Sequence, residues 1–174
     1  MSSTRSSRGN PSMGDILRSM LVIAVIILGL YGIGRIFTSA PESPVKAIDY
    51  ALVVEQARPA AEFPLLAPPS LPEGWKATSA RFQTTSWHLG VLTDDEQYLG
   101  LEQLQAGVDR AVERFADKST SDGTAQVAGQ TWMVRTGPDG RLTYVREEGG
   151  YTTLVNGTTS RAVLERYLES LSAS

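Results

Sequence analysis

The run ILRSMLVIAVIILGLYGIGRIF, Ile16 to Phe37, limits this chain more than any other stretch, because Ser19 to Gly34 carries no charged side chain. At about 1.5 Å of rise per residue, a helix of this length reaches about 33 Å, against a bilayer core of about 30 Å. The spacing therefore predicts a transmembrane helix over residues 16–37, with the lipid bilayer as its partner. Arg18 and Arg35 stand near its two ends, where long cationic side chains snorkel to the headgroups. Tyr31 lies near the far interface as a modest aromatic anchor. Gly29, Gly32 and Gly34 make no GxxxG pattern, so no helix pairing is expected from them. A buried core helix is rarely apolar on every face after a Ser/Arg-rich tail. Thr38-Ser39-Ala40 has the small residues of a signal-peptide cleavage site. Pro41 would then open the mature chain, and the run exceeds the usual h-region length, so an uncleaved anchor is the expectation.

Charge orients that anchor. Residues 1–19 carry Arg5, Arg8 and Arg18 against Asp15, a balance of +2, whereas residues 38–174 hold 12 basic and 18 acidic side chains, a balance of −6. The N-terminal tail is expected in the cytoplasm and the acidic remainder outside, Arg35 weakening the bias without reversing it. The Ser/Arg/Gly-rich opening, MSSTRSSRGNPS, is expected to be disordered. The expected organisation is a cytoplasmic tail (1–15), a membrane helix (16–37), a Pro/Ser spacer (38–44) and an extracytoplasmic domain (45–174). With 41% hydrophobic and 20% charged residues, that domain can pack a core. The absence of cysteine excludes disulfides and thiolate zinc sites. A net charge of −3 gives no reason to expect nucleic acid.

Periodicity then gives the elements. A short helix is expected in Ala47–Ala61, ending near Arg58 because Pro59 restricts the residue before it. Lys76–Gln83 and Ser86–Leu92 read as strands, the latter with Trp87, Leu89 and Val91 on one face against His88, Gly90 and Leu92. Gln97–Gln103 completes a hairpin across the turn Thr93-Asp94-Asp95-Glu96. Gly107–Asp117 is expected to be helical, with Val108, Ala111, Val112 and Phe115 together. Lys118–Thr124 reads as a polar loop. Strands follow at Thr131–Thr136, Arg141–Glu147 and Tyr151–Val155, separated by the turns Gly137-Pro138-Asp139-Gly140 and Glu148-Gly149-Gly150. Asn156-Gly157 is expected to close the last strand before a helix over Ser160–Leu171, whose stripe is Val163, Leu164, Tyr167, Leu168 and Leu171. The fold class is α+β: an N-terminal transmembrane helix, then a meander-like antiparallel sheet packed by two or three helices. FPLLAPPSLPEGW, residues 63–75, is too apolar for a linker. It is expected to run extended along the sheet edge, with Phe63, Leu66 and Trp75 packing inward and Glu73-Gly74 turning into the first strand.

The blocks LAPPSLPEGWKATSARF, SWHLGVLTDDEQYLGLEQ and YTTLVNGTTSRAVLERYLESL, behind a single anchor, resemble the actinobacterial membrane-protein family catalogued as domain of unknown function 4245. The resemblance runs from the anchor to the C-terminal helix. It implies a bacterial cell-envelope location and a single membrane span, and it carries over no catalytic residue, because the family assigns none.

Chemistry-bearing residues are sparse. His88 is the only histidine, and a Ser-His-acid arrangement has the side chains it needs but no G-x-S-x-G elbow. Asp94-Asp95-Glu96 lacks EF-hand spacing and reads as a solvated turn. Asn156-Gly157-Thr158 matches a glycosylation acceptor by accident in a bacterial chain. Neither phosphate-loop pattern occurs, and no cofactor is expected. Trp75, Trp87 and Trp132 serve either as core or, with His88, as the lining of a ligand or partner surface. Three functions follow. The first is a non-catalytic envelope binding or assembly-support domain. The second is an envelope hydrolase using His88 with a serine and an acid. The third is a membrane sensor signalling through the N-terminal tail.

Overall fold

In the computed structural model, residues 13–37 and 46–173 are described, except the side chains of Asp15 and of residues 30–37. The expected disordered opening (1–12) and the spacer (38–44) lie outside the described residues. The chain divides into two compact units, residues 1–44 and 45–174.

The first unit contains helix α1, Met13–Phe37, which starts three residues before the apolar run. Its described side chains from Ile16 to Leu28 are exposed, the large apolar ones included. Ser19 turns its hydroxyl back onto the Ile16 carbonyl at 2.9 Å, so the one hydroxyl in this stretch is satisfied within the helix. Among the described residues no helix is long and apolar enough to cross a membrane. The described side chains of α1 end at Gly29, short of the full run.

The second unit is built from α2 (Tyr50–Ala57), a 3₁₀ turn (Arg58–Ala60), β1 (Leu66–Ala67), β2 (Lys76–Gln83), β3 (Ser86–Leu92), β4 (Tyr98–Leu104), α3 (Val108–Phe115), β5 (Thr120–Val127), β6 (Gln130–Thr136), β7 (Leu142–Glu148), β8 (Tyr151–Gly157), α4 (Arg161–Ser170) and β9 (Ser172–Ala173). Asp49 caps α2 by accepting from the Ala51 and Leu52 amides at 3.1 and 3.3 Å. Ser160 caps α4 from the Val163 amide.

The seven long strands form one antiparallel sheet in the order β2-β3-β4-β8-β7-β6-β5. Two meanders, β2 to β4 and β5 to β8, meet where Leu101 of β4 opposes Val155 of β8. The α+β class holds, with three helices in this unit. One face of the sheet carries the main core. Trp87, Leu89, Leu101, Tyr144 and Val155 pack there beneath α2, the 63–71 segment and Leu164, Tyr167 and Leu168 of α4. Burying each of those leucines stabilises the fold by about 1.5–3 kcal/mol. On the opposite face α3 covers a smaller cluster of Leu104, Ala111, Val145 and Leu154. Beyond that cluster, the face around His88, on β2, β3 and β4, carries polar side chains.

Three expectations are corrected. Most of Lys118–Thr124, read as a loop, belongs to edge strand β5, which pairs with β6 through Ser121 opposite Arg135 and Thr124 opposite Met133. Residues 120–124 are exposed on both sides, so no apolar alternation marks the strand, and a register shift at Gly123 (φ +90°) breaks its period further. Strand β8 does not stop at Val155; it runs through Asn156, which is buried opposite Gly100. Finally, residues 63–67 lie over the core face of the sheet rather than along its edge. The buried Gln103 amide receives the Leu66 N–H at 2.7 Å and donates to the Pro64 carbonyl at 3.1 Å. The Trp87 indole N–H donates to the Leu66 carbonyl at 3.0 Å. Leu65, not Leu66, is the fully buried leucine, while Leu66 and Trp75 are half-buried. The segment is then closed by β9, with Leu66 opposite Ala173.

Candidate functional site

The polar part of the second face is organised around three adjacent strands. Strand β2 carries a bulge between Ala77, opposite Val91, and Ser79, opposite Gly90. The extra residue shifts the alternation, placing Ser79 on the polar face with Arg81. Across β3 and β4, His88 stands opposite Glu102. The outcome is a three-strand relay: Ser79 Oγ lies 2.8 Å from His88 Nε2, and His88 Nδ1 lies 2.5 Å from Glu102 Oε1. In the neutral tautomer that suits Glu102, Nδ1–H donates to the carboxylate and Nε2 accepts the Ser79 hydroxyl. Both ring nitrogens are thus engaged, and the imidazole is fixed in orientation.

Two glycines make room for this. A Cβ on Gly90 would stand 2.5 Å from Ser79 Oγ and 3.2 Å from the Tyr98 hydroxyl. A Cβ on Gly100 would stand 3.1 Å from Tyr98 and from Asn156 Oδ1. The Tyr98 hydroxyl therefore lies against both glycines, and burial raises its pKa, the neighbouring Glu102 charge raising it further.

Beside the relay is a cavity of about 250 Å³, lined by Arg81, His88, Glu102, Leu104, Arg114 and Phe115 among others. Arg114 comes from the last turn of α3, and its guanidinium sits 5.1 Å from the Phe115 ring centroid. Ser79 is not part of that lining. The cavity meets the imidazole, its carboxylate partner and two cationic side chains, but not the serine hydroxyl.

Of the four candidate residues, Trp87 and His88 border the same cavity of about 250 Å³, whereas Trp75 and Trp132 lie elsewhere. Only His88 belongs to the polar cluster. Trp87 is fully buried and spends its N–H on Leu66. Trp132 is buried on the core side of β6, with the Arg146 guanidinium 5.2 Å from its ring centroid. Trp75 is half-buried, its ring 6.2 Å from that of Tyr167. Trp75 and Trp132 border separate cavities of about 220 and 200 Å³, so the three tryptophans line no common cleft. Sequence reasoning missed Ser79, Arg81, Glu102 and Arg114. A signal was available for two of them: extending the period-2 alternation from His88 across the hairpin puts the polar residues of each strand on the same face. The bulge conceals Ser79, and nothing local announces Arg114.

Asp94-Asp95-Glu96 forms a tight turn in which Thr93 Oγ1 accepts the Gln97 amide at 3.0 Å. Among the described residues no group of three or more His, Asp or Glu is placed to hold a metal. A second polar network ties the far end of the sheet: the Tyr144 hydroxyl donates to Glu165 Oε1 at 2.5 Å, Arg161 donates to Tyr144 at 3.2 Å, and Arg161 pairs with Asp122 at 2.7 Å. Burial, together with the bond to Glu165, pushes the Tyr144 pKa up to about 12.

Compared with known proteins, residues 8–171 match the family model described as "Protein of unknown function (DUF4245)". No curated protein and no solved structure matches the chain.

Proposed function

We propose, for a chain that belongs to the DUF4245 family of proteins of unknown function, a single-pass cell-envelope protein whose extracytoplasmic domain binds a ligand without turning it over. The membrane placement rests on the uncharged run Ser19–Gly34 within helix α1, the exposed apolar side chains of that helix and the cationic N-terminal flank. The actinobacterial envelope is the compartment that the family resemblance implies.

One observation carries the binding reading. The cavity under α3 meets a histidine whose two nitrogens are both held by protein partners, while the serine of the relay stays out of the lining. A fixed imidazole and carboxylate flanked by arginines present charge and shape in a preorganised way. Replacing Gln83, which also lines the cavity, by a photo-crosslinking amino acid tests this in intact cells. Mass spectrometry is expected to find an adduct at position 83 and none at a control position, Glu169, which is exposed on α4. Equal adducts at both positions, or none at either, would count against a ligand cleft.

A second reading, the hydrolase, draws on the Ser79–His88–Glu102 distances, which are those of a nucleophile, a general base and its orienting acid. Set against it, Ser79 lies mid-strand rather than on an exposed elbow. A fluorophosphonate probe separates the two readings. Labelling of Ser79 that disappears in His88→Ala would establish the hydrolase, and an unlabelled wild type leaves binding.

A further inference from the structure

Resting on the cleft reading above, we infer that the ligand carries an oxyanion, a phosphate or a carboxylate, which Arg81 and Arg114 clamp from two sides. Arg81 projects from β2 and Arg114 from the end of α3, and both line the same cavity of about 250 Å³. Among the described residues neither is in an ion pair, which is also true of Arg58, Arg110, Arg135 and Arg166, so what sets Arg81 and Arg114 apart is that they share one cavity. The single carboxylate in the lining, Glu102, already has Oε1 committed to His88. With the imidazole neutral, the lining carries two positive charges against one negative. Guanidinium forks match the planar oxygens of carboxylates and phosphates in bidentate geometry, and an uncommitted pair facing one small space favours that class of ligand over a cation.

The apolar part of the lining limits the rest of the ligand. Leu104 and the Phe115 ring form one wall, so the oxyanion is attached to a short apolar or ring portion. The volume is below the range of about 300–1,000 Å³ typical of drug-sized ligands, so the cleft admits a headgroup with a few further heavy atoms. Two sources share this chemistry, a free anionic solute and the headgroup of an anionic phospholipid.

The experiment uses the full chain in phosphatidylcholine nanodiscs. Because the protein has no cysteine, Ser86→Cys places one thiol in the cavity lining, and its reaction rate with a neutral maleimide reports occupancy. Inorganic phosphate and acetate are the solute probes, and nanodiscs containing phosphatidylglycerol are the lipid arm. Protection by either arm is expected, and whichever protects identifies the source. The Arg81→Met/Arg114→Met pair is expected to abolish that protection, read as the ratio of protected to unprotected rate within the same variant because loss of two nearby cations slows the thiol itself. The Arg81→Lys/Arg114→Lys pair, which keeps charge but loses the forks, is expected to weaken binding about tenfold. Equal protection of the Met pair and the wild type overturns the inference. Protection by a neutral low-mass fraction of cell envelope, with none by phosphate, acetate or phosphatidylglycerol, overturns the oxyanion and leaves the cleft standing. No protection from any source removes both.

Discussion

Gly90 holds the site together by lacking a side chain. A methyl group there would meet Ser79 Oγ at 2.5 Å, inside any allowed contact, and would push the serine off His88. Gly90→Ala is therefore expected to destabilise the domain by about 1–3 kcal/mol in urea unfolding, as overpacking does. Adding Ser79→Ala in that background removes the atom that is met and is expected to recover at least half of the loss. A double variant no more stable than Gly90→Ala would mean that the relay and the glycine are unconnected. Gln103 is the second residue that sets the architecture from inside. Gln103→Leu takes the partner from the part-buried Leu66 amide and from the Pro64 carbonyl and is expected to cost about 1–2 kcal/mol. Gln103→Glu, which can still accept from Leu66, loses the donor to Pro64 and buries a carboxyl group, so it is expected to be no milder. Neither role was legible in the sequence, because each depends on partners 11 to 39 positions away that only strand register brings close. His88 was legible as the unusual residue; Glu102 was readable by carrying its alternation across the hairpin, and Ser79 was hidden by the bulge.

At the scale of elements, the sequence announced whatever had one dry face. Strands β2 and β3 fall where alternation put them, and α4 follows its apolar stripe with Ser160 as its cap. Edge strand β5 was illegible because both of its sides are wet over Thr120–Thr124, so its only signature is the backbone ladder to β6. That edge is tied to the rest by side chains, Asp122 to Arg161 to Tyr144 to Glu165. The phenol gives the tie a pH signature. Its pKa rises from about 10 in the unfolded chain to about 12 in the fold, so the folded state keeps a proton that the unfolded state loses. This contribution is complete below pH 10 and disappears as pH climbs from about 10 to 12. Tyr144→Phe is expected to lower stability at pH 8 and to flatten the decline across that alkaline window. A variant whose alkaline limb is as steep as the wild type's would show that another group titrates there.

For the whole molecule, the division at residues 44 and 45 separates an apolar helix from a domain with its own core. Residues 45–174 on their own are expected to unfold in one transition, at the same midpoint as the full chain in detergent. A lower midpoint would show that α1 supports the fold instead of only anchoring it. The uncharged run of α1 was the plainest signal in the sequence, and the cleft was the faintest, because it is assembled from β2, β3, β4 and the end of α3. In the proposed topology the domain that carries this cleft lies outside the membrane and the tail stays inside. In a protein without cysteine, single thiols at Glu169→Cys, exposed on α4 and away from the cleft, and at Ser7→Cys test this in intact cells with a membrane-impermeant maleimide. Labelling is expected at position 169 in intact cells and at position 7 only after permeabilisation. Labelling at position 7 in intact cells, with position 169 protected until the membrane is opened, would contradict the proposed topology.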